Sequence, residues 1–181
     1  LNEGIAHYKT IETTLQKAKE LYKKYNVLKD FPIKIVDKKN GGHGSTINAA
    51  LKVATGKYFR IIDADDWVNS SDFNKLVSLL KKEKSDIVIT DYSEDLAHFN
   101  YLNKKEMYNF MIPGKQYIFE DLCLNFYGFK EWGPILATGN YKTEMLKKTS
   151  FTITEKSSYV DMEFNCYSII NANTITYYNL D

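Results

Sequence analysis

Three carboxylates follow directly on an apolar, strand-like run in the segment RIIDADDW, residues 60–67. They belong to Asp63, Asp65 and Asp66, and Trp67 comes next. Like charges this close repel, and folding alone gives no reason to gather them at the end of a buried strand. A divalent cation such as Mg²⁺ removes that cost, since it binds one or two carboxylates together with water and substrate phosphates. The spacing therefore predicts a site for a metal-chelated phosphate. The alternative is a turn in which Asp66 only caps the residues that follow.

The glycine-rich loop KKNGGHGS, residues 38–45, is a second candidate site. Glycine-rich loops that lead into a helix can bind phosphate through backbone N–H groups. This loop lacks the Gly-Lys-Ser/Thr ending of a nucleoside-triphosphate loop, and it does not match the Gly-x-Gly-x-x-Gly pattern of dinucleotide sites. Its residues alone favour ordinary loop chemistry, although His43 could reach a pyrophosphate held nearby.

The elements that must position these residues alternate between helix and strand. Apolar periodicity predicts a helix over 10–25, a second helix that Ser45 or Thr46 can cap and that Gly56 ends, and a third after the cap residues 69–71. Strands are predicted at 31–38, 58–63 and 86–92. This alternation predicts a parallel α/β sheet with right-handed crossovers. Ligands of such sheets bind beyond the carboxyl ends of the strands, which is where Asp63 lies.

Beyond Tyr92 the pattern is weaker. It predicts an extended piece at 134–138, helices at 142–148 and 159–170, and a last strand at 173–179. The aromatic stretch 99–129 is where a binding groove, or contacts with a partner or a membrane, are expected, on the basis of its position alone.

Composition narrows the class of protein. The 181 residues fit a single domain, and a net charge of +1 gives no basic surplus for binding a nucleic acid. Cys123 and Cys166 are too few for a zinc motif or a disulfide framework, so they are interpreted as free thiols in a reducing compartment. No apolar run reaches the length of a membrane span. We therefore expect a cytoplasmic protein; peripheral association with the inner face of the membrane is compatible with the sequence but not encoded in it.

The segment from Asn40 to Trp67 closely resembles the family-2 glycosyltransferases of the GT-A fold, in order and spacing over 28 residues. The matching positions are Asn40, Gly41, Gly42, Asn48, Ala54, Thr55, Gly56, Lys57, Tyr58, Asp63, Asp65, Asp66 and Trp67. SDIVITDY, residues 85–92, resembles the strand that usually comes next.

The resemblance implies an α/β, Rossmann-like GT-A fold, with a mixed, mainly parallel sheet flanked by helices. It implies one domain over 1–181, with a donor side at 1–95 and an acceptor side at 96–181. Measured against the family, the sequence is expected to be incomplete at both ends, with the N-terminal strands that bind the nucleoside missing.

The resemblance also implies a reaction, the transfer of a sugar from a nucleotide-diphosphate donor to an acceptor hydroxyl with inversion, in bacterial cell-surface glycan synthesis. The expected donor is a UDP-sugar, the cofactor Mg²⁺ or Mn²⁺, and the acceptor a glycan or a lipid-linked glycan. Asp65 would bind the metal, and Asp63 would contact the donor's ribose or sugar, or the metal through water. The full set of predicted donor-binding residues is Asn40, Gly41, Gly42, His43, Asn48, Asp63, Asp65 and Asp66.

An inverting transfer needs a base that takes the proton of the acceptor hydroxyl. The family carries it on an acidic pair at the start of a late helix. Glu120 and Asp121 form such a pair literally, whereas Asp161 follows Val160 in place of the glutamate. Asp161 is the predicted base, because YKTEMLKK before it and NTITYYN after it resemble the segments that flank the base in this family.

Two other functions stay open on the sequence. A nucleotidyltransferase uses a related sheet and metal-bound aspartates, but its glycine-rich signature near the start of the chain is not seen. An inactive glycan- or partner-binding module could use the same scaffold, although such a module needs no intact acidic cluster.

Overall fold

The computed structural model describes residues 16–17, 19–20, 23–24, 34–63, 66–96, 101–125, 136–148 and 152–181. The chain divides into two compact units, Leu1–Asn40 and Gly41–Asp181. In the first unit the described residues between 16 and 24 are helical, within the helix predicted at 10–25, and the rest of that helix lies outside the described residues. Residues 34–40 form no strand, so the strand predicted at 31–38 is wrong over its described part.

The second unit contains the remaining helices and strands. In chain order they are α1 (Gly42–Val53), β1 (Tyr58–Phe59), α2 (Ser70–Lys82), β2 (Ile87–Thr90), β3 (Tyr92–Leu96), β4 (Tyr101–Lys105), β5 (Gln116–Ile118), α3 (Phe119–Asn125), β6 (Gly139–Lys142), α4 (Thr143–Lys148), α5 (Val160–Asn171) and β7 (Thr174–Tyr178). The helices predicted around α1, α2, α4 and α5 and the strands predicted around β1, β2 and β7 are confirmed. The extended piece predicted at 134–138 is a turn over its described residues 136–138, and β6 follows it. No helix among the described residues is both long enough and apolar enough to cross a bilayer.

The main sheet has the strand order β1-β6-β2-β7-β5. β2 and β7 are parallel, whereas β6 is antiparallel to both of its neighbours and β5 is antiparallel to β7. β1, β2 and β7 therefore run in one direction and end at the same edge of the sheet, here called the carboxyl edge; the opposite edge is the amino edge. The fully parallel sheet predicted from the alternation of elements is wrong, and the mixed α/β fold implied by the family resemblance is confirmed. A separate antiparallel hairpin, β3-β4, follows β2.

The pairing register aligns the two strands that lead to Asp63 and Asp91. Phe59 of β1 and Ile87 of β2 both lie opposite Tyr141 of β6. Asp63 and Asp91 each come four residues later. Since β6 lies between β1 and β2, these two strands are about two strand spacings, or roughly 10 Å, apart.

The core lies against the middle of the main sheet. Ile87, Val88 and Ile89 are fully buried because β2 is covered on both faces. On one face the Tyr141 ring meets the Phe164 ring of α5 edge-on, with centroids 5.0 Å apart. Full burial of a phenylalanine side chain such as that of Phe164 contributes about 1.5–3 kcal/mol to the stability of the fold.

The motif ATGKY has a structural role in this fold. The Lys57 ammonium donates hydrogen bonds to the carbonyl oxygens of Leu80 (3.1 Å), Lys81 (3.0 Å) and Glu83, so it caps the carboxyl end of α2. The Tyr58 hydroxyl donates to the Ser85 carbonyl at 2.6 Å. The prediction that Gly56 ends α1 is wrong, because α1 ends at Val53 and its cap, Ala54, is extended.

Candidate active site

The helices that precede β1 and β7 both begin at the carboxyl edge. α1 and α5 have 12 residues each and lead back to strands that start at the amino edge. A 12-residue helix is about 18 Å long, so its first turn lies at the far edge of the sheet. His43 in α1, Asp63 after β1, Asp91 after β2 and Asp161 in α5 therefore share one edge.

The acidic turn after β1 is exposed and touches α1. The Asp66 N–H donates to the Asp63 carbonyl at 3.2 Å and closes a tight turn. His43 Nε2 lies 3.4 Å from Asp63 Oδ1, with both side chains partly exposed. Trp67, the residue after Asp66, is 68 % exposed. Asp65 lies outside the described residues, so its predicted metal-binding role stays a prediction.

The donor atoms at this turn fit the predicted cation only in part. No cluster of three or more His, Cys, Asp or Glu side chains exists among the residues that the structure describes. Mg²⁺ needs only one or two carboxylates when water and substrate phosphates complete its shell. Asp63 supplies an accessible carboxylate of that kind. The described turn therefore fits an ion shared with a diphosphate and does not fit a cage built from protein ligands alone.

The glycines at the start of α1 allow this helix to pack closely against residues 153–156. Gly42 has φ +79°, a conformation that L side chains rarely adopt. The Gly41 carbonyl accepts a hydrogen bond from the Lys156 N–H at 2.8 Å. A Cβ on Gly44 would lie 2.4 Å from the Thr154 carbonyl oxygen. Ser45, predicted as a cap, lies inside the helix instead, and its hydroxyl donates to the Gly42 carbonyl at 2.9 Å.

Asn48 binds a main chain 105 residues away. Its Nδ2 donates to the Ile153 carbonyl at 2.9 Å, and its Oδ1 accepts from the Ile153 N–H at 2.8 Å. The carboxamide is thus occupied at its donor end and at its acceptor end. Asn40, also predicted to bind the donor, belongs to the other compact unit.

Asp161 lies exposed in the first turn of α5. Tyr159, the residue before the helix, has φ +59° and is 81 % exposed. Glu163 accepts hydrogen bonds from the Thr154 N–H at 3.1 Å and from the Thr154 hydroxyl at 3.0 Å. The helix start that carries Asp161 is therefore tied to the same segment that Asn48 holds.

The competing pair, Glu120 and Asp121, lies at the opposite edge. β5 is antiparallel to β7, so the chain leaves β5 at the amino edge. The Phe119 N–H donates to the Asn173 carbonyl just before β7 begins, which fixes the start of α3 there. This topology separates the pair from Asp63 and favours Asp161 as the acidic residue of the site.

Two ionisable side chains with buried polar atoms, Asp91 and Arg60, were missed by the sequence interpretation. Asp91 is 1 % exposed; its Oδ2 accepts from the Tyr177 hydroxyl at 2.7 Å, while Oδ1 has no partner among the described residues. Burial raises the pKa of the Asp91 carboxyl. Arg60 has buried Nε and Nη1 atoms without a described partner, and burial lowers the pKa of its guanidinium. The signal for Asp91 was available, since DIVITD, like FRIID, is an apolar run that ends in an aspartate.

A cleft of about 210 Å³ opens at the amino edge, away from these residues. Its lysines are already paired, Lys142 with Asp86 at 3.0 Å and Lys148 with Glu144 at 3.6 Å. It contains none of the predicted site residues.

The sequence matches the family described as "Glycosyl transferase family 2" over residues 11–150, which is more than half of the chain. The protein therefore belongs to glycosyl transferase family 2, a class of transferases. This membership favours the glycosyltransferase prediction over the nucleotidyltransferase alternative.

The individual relatives are bacterial. The chain is 31 % identical over 83 residues to "Uncharacterized glycosyltransferase MG060 homolog" of Mycoplasma pneumoniae, covering 45 % of this chain and 28 % of that one. It is 25 % identical over 99 residues to "Glycosyltransferase GlyG" of Streptococcus pneumoniae, covering 54 % and 31 %. The crystal structure of S. aureus TarS 1–349 in complex with UDP-GlcNAc has the same fold, with a TM-score of 0.65 and 19 % identity, over 89 % of this chain and 43 % of that one. The chain thus spans less than a third of the curated relatives it matches.

Proposed function

We propose that this chain forms part of an inverting bacterial glycosyltransferase, which moves a sugar from a nucleotide-diphosphate donor to an acceptor hydroxyl. The observation that carries the proposal is the sheet topology, which puts Asp63, after β1, and the start of α5 with Asp161 at the same carboxyl edge. Family membership supports the reaction class. A UDP-sugar is the proposed donor, since the similar TarS structures contain UDP-GlcNAc or UDP.

In the proposed mechanism Asp161 accepts the proton of the acceptor hydroxyl as that oxygen attacks the anomeric carbon. The leaving diphosphate lies on the opposite face of the sugar, toward Asp63, so the configuration inverts. Asp63 and Asp65 would hold Mg²⁺ or Mn²⁺, which when bound offsets the charge that develops on the leaving diphosphate. His43 beside Asp63 offers a donor N–H, or a positive charge when protonated, on the same side.

We further propose that the acceptor is a glycan or lipid-linked glycan of the bacterial surface, and that the protein works in the cytoplasm, at the inner face of the membrane. Donor-binding roles for Asn40, Gly41, Gly42, Asp65 and Asp66 belong to the same proposal.

The test is an assay of the full-length protein with UDP-, GDP- and dTDP-sugars, with and without Mn²⁺, following release of the free nucleoside diphosphate. Asp161→Asn should stop transfer and leave UDP binding, measured by calorimetry, within about twofold of wild type. Glu120→Gln at the amino edge is the matched control and should turn over normally. If Asp161→Asn retains wild-type turnover, or if the protein releases pyrophosphate rather than a nucleoside diphosphate, the proposal is wrong.

A further inference from the structure

The starts of α1 and α5 are connected through one short main-chain segment, residues 153–154. We propose that Asn48 is a positioning residue, which fixes the location of Asp161 through Ile153, Thr154 and Glu163 and does not contact the donor. This inference rests on the proposed function, in which Asp161 is the base.

The first link is the pair of hydrogen bonds between Asn48 and Ile153. They use one donor and one acceptor on each partner, at 2.9 and 2.8 Å, as two paired strands do. Ile153 is 1 % exposed, and water has little access to replace a lost bond. Aspartate has the same shape as asparagine but cannot donate to the Ile153 carbonyl, and it would place a negative charge against that oxygen.

The second link is Thr154 with Glu163. The Thr154 N–H lies 3.1 Å from both carboxylate oxygens, and its hydroxyl adds a third hydrogen bond at 3.0 Å. Glu163 follows Asp161 by two residues in the first turn of the same helix. A shift of residues 153–154 is thus transmitted directly to the turn that carries the base.

The connection from Thr154 to α5 needs support from its ends. Lys156 and Tyr159 have φ of +55° and +59°, a region that residues other than glycine rarely occupy. Such conformations persist where surrounding contacts determine them. Contacts that hold this connection include the Asn48 pair, the Glu163 bonds to Thr154, and the Lys156 N–H on the Gly41 carbonyl at 2.8 Å.

This arrangement gives Asn48 a different role from the one its place in the family motif suggests. The Nδ2 and Oδ1 atoms of its carboxamide are both engaged by Ile153, which fixes the orientation of the group toward residues 153–154. A misplacement of about 1 Å at a catalytic group can lower a rate by about 100-fold, without any contact between substrate and the mutated residue.

The test compares Asn48→Asp with Asn74→Asp, the same chemical change on the exposed face of α2. We expect Asn48→Asp to lower kcat by about 10- to 100-fold, while the Kd for UDP stays within about twofold of wild type. Glu163→Ala should give the same split between kcat and Kd, and the double variant should lose little more than either single one. Glu163→Gln, which keeps one acceptor oxygen, should recover part of the loss.

Hydrogen exchange gives a readout that is independent of turnover. In Asn48→Asp the amides of Ile153 and Thr154 should exchange at least about tenfold faster than in wild type, whereas Asn74→Asp should leave them unchanged. If their exchange is unaltered, or if the Kd for UDP rises in step with the loss of kcat, the positioning role is refuted.

Failure of the proposed function would look different. A normal turnover of Asp161→Asn would remove Asp161 as the base, while hydrogen exchange would still decide whether Asn48 holds residues 153–154. Should Asn48→Asp fail to fold, Glu163→Ala carries the same comparison from the other end of the connection. Unchanged kcat in a folded Glu163→Ala would then overturn the inference.

Discussion

The close approach of α1 to residues 153–154 can be tested by adding one methyl group. In Gly44→Ala the new Cβ would lie 2.4 Å from the Thr154 carbonyl oxygen and 2.6 Å from Ile153 Cγ2. Cβ atoms essentially never come within 3.0 Å of another atom, so the main chain at Thr154 would have to retreat by at least 0.6 Å. That segment is held by Asn48 and cannot move without straining two hydrogen bonds.

Opposing effects contribute to the change in the free energy of unfolding that Gly44→Ala causes. Alanine in place of glycine within a helix gains about 1 kcal/mol. Overpacking of a filled interior costs about 1–3 kcal/mol, and each hydrogen bond weakened adds about 1 kcal/mol. The expected result is a net loss of about 2–4 kcal/mol in the free energy of unfolding. For a chain of this size that corresponds to a fall in Tm of about 4–16 °C.

Gly56→Ala is the matched control with the opposite sign. Its Cβ would come no closer than 3.4 Å to the Tyr58 carbonyl oxygen, an ordinary contact, and Gly56 does not have positive φ. Here alanine should stabilise the fold by about 0.4–1 kcal/mol, because it reduces the freedom of the unfolded chain. Urea unfolding and thermal melts of both variants make the comparison. A Gly44→Ala protein as stable as wild type would refute the packing of α1 against Thr154.

Two further predictions concern side chains away from this contact. Lys57→Met should lower the free energy of unfolding, measured in urea, by about 1–2 kcal/mol, because the carbonyls at the end of α2 lose a charged donor. Lys52→Met on the exposed face of α1 is the control and should change it little. Equal urea midpoints for the two variants would show that the Lys57 cap contributes nothing. Asp91→Asn should alter how stability depends on pH. Burial raises the folded-state pKa of Asp91, so the folded protein binds more protons than the unfolded chain. Wild type should therefore lose stability as pH rises from about 4 through that raised pKa. The variant lacks this slope, and parallel stability curves for the two proteins between pH 4 and 8 would contradict the prediction.

The sequence indicated the parts of the fold that have strong local patterns. Apolar runs that end in aspartate marked β1 and β2, and helical periodicity marked α1, α2 and α5. β6 gave no such pattern, because its four residues, GNYK, include Asn140, which is buried and donates to the Val88 carbonyl at 3.1 Å. The hairpin strands YSEDL and YLNKK are charged and polar, so they lack an apolar strand pattern. The ion pair between Glu94 and Lys105 forms only when the two strands pair.

The sequence predicted which residues belong to the candidate site but not which of them lie at the same edge of the sheet. The choice between Asp161 and Glu120 depends on the direction of β5, which is set by its pairing with β7 and is not written in either segment. The hydrogen bonds of Asn48 were equally unpredictable from local sequence, because its partner, Ile153, lies 105 residues away. Asp65, the residue on which the predicted metal site most depends, lies outside the described residues.

The antiparallel strand β6 has a consequence for what the carboxyl edge can admit. The chain reaches β6 through residues 136–138, and the Thr90 N–H donates to the Thr138 carbonyl at 3.3 Å, so this short turn enters between the paths that carry Asp63 and Asp91. Ala137 is the exposed centre of this turn. Position 137 is therefore a solvent-facing site between these two strands, where a larger residue can be introduced without altering either carboxylate.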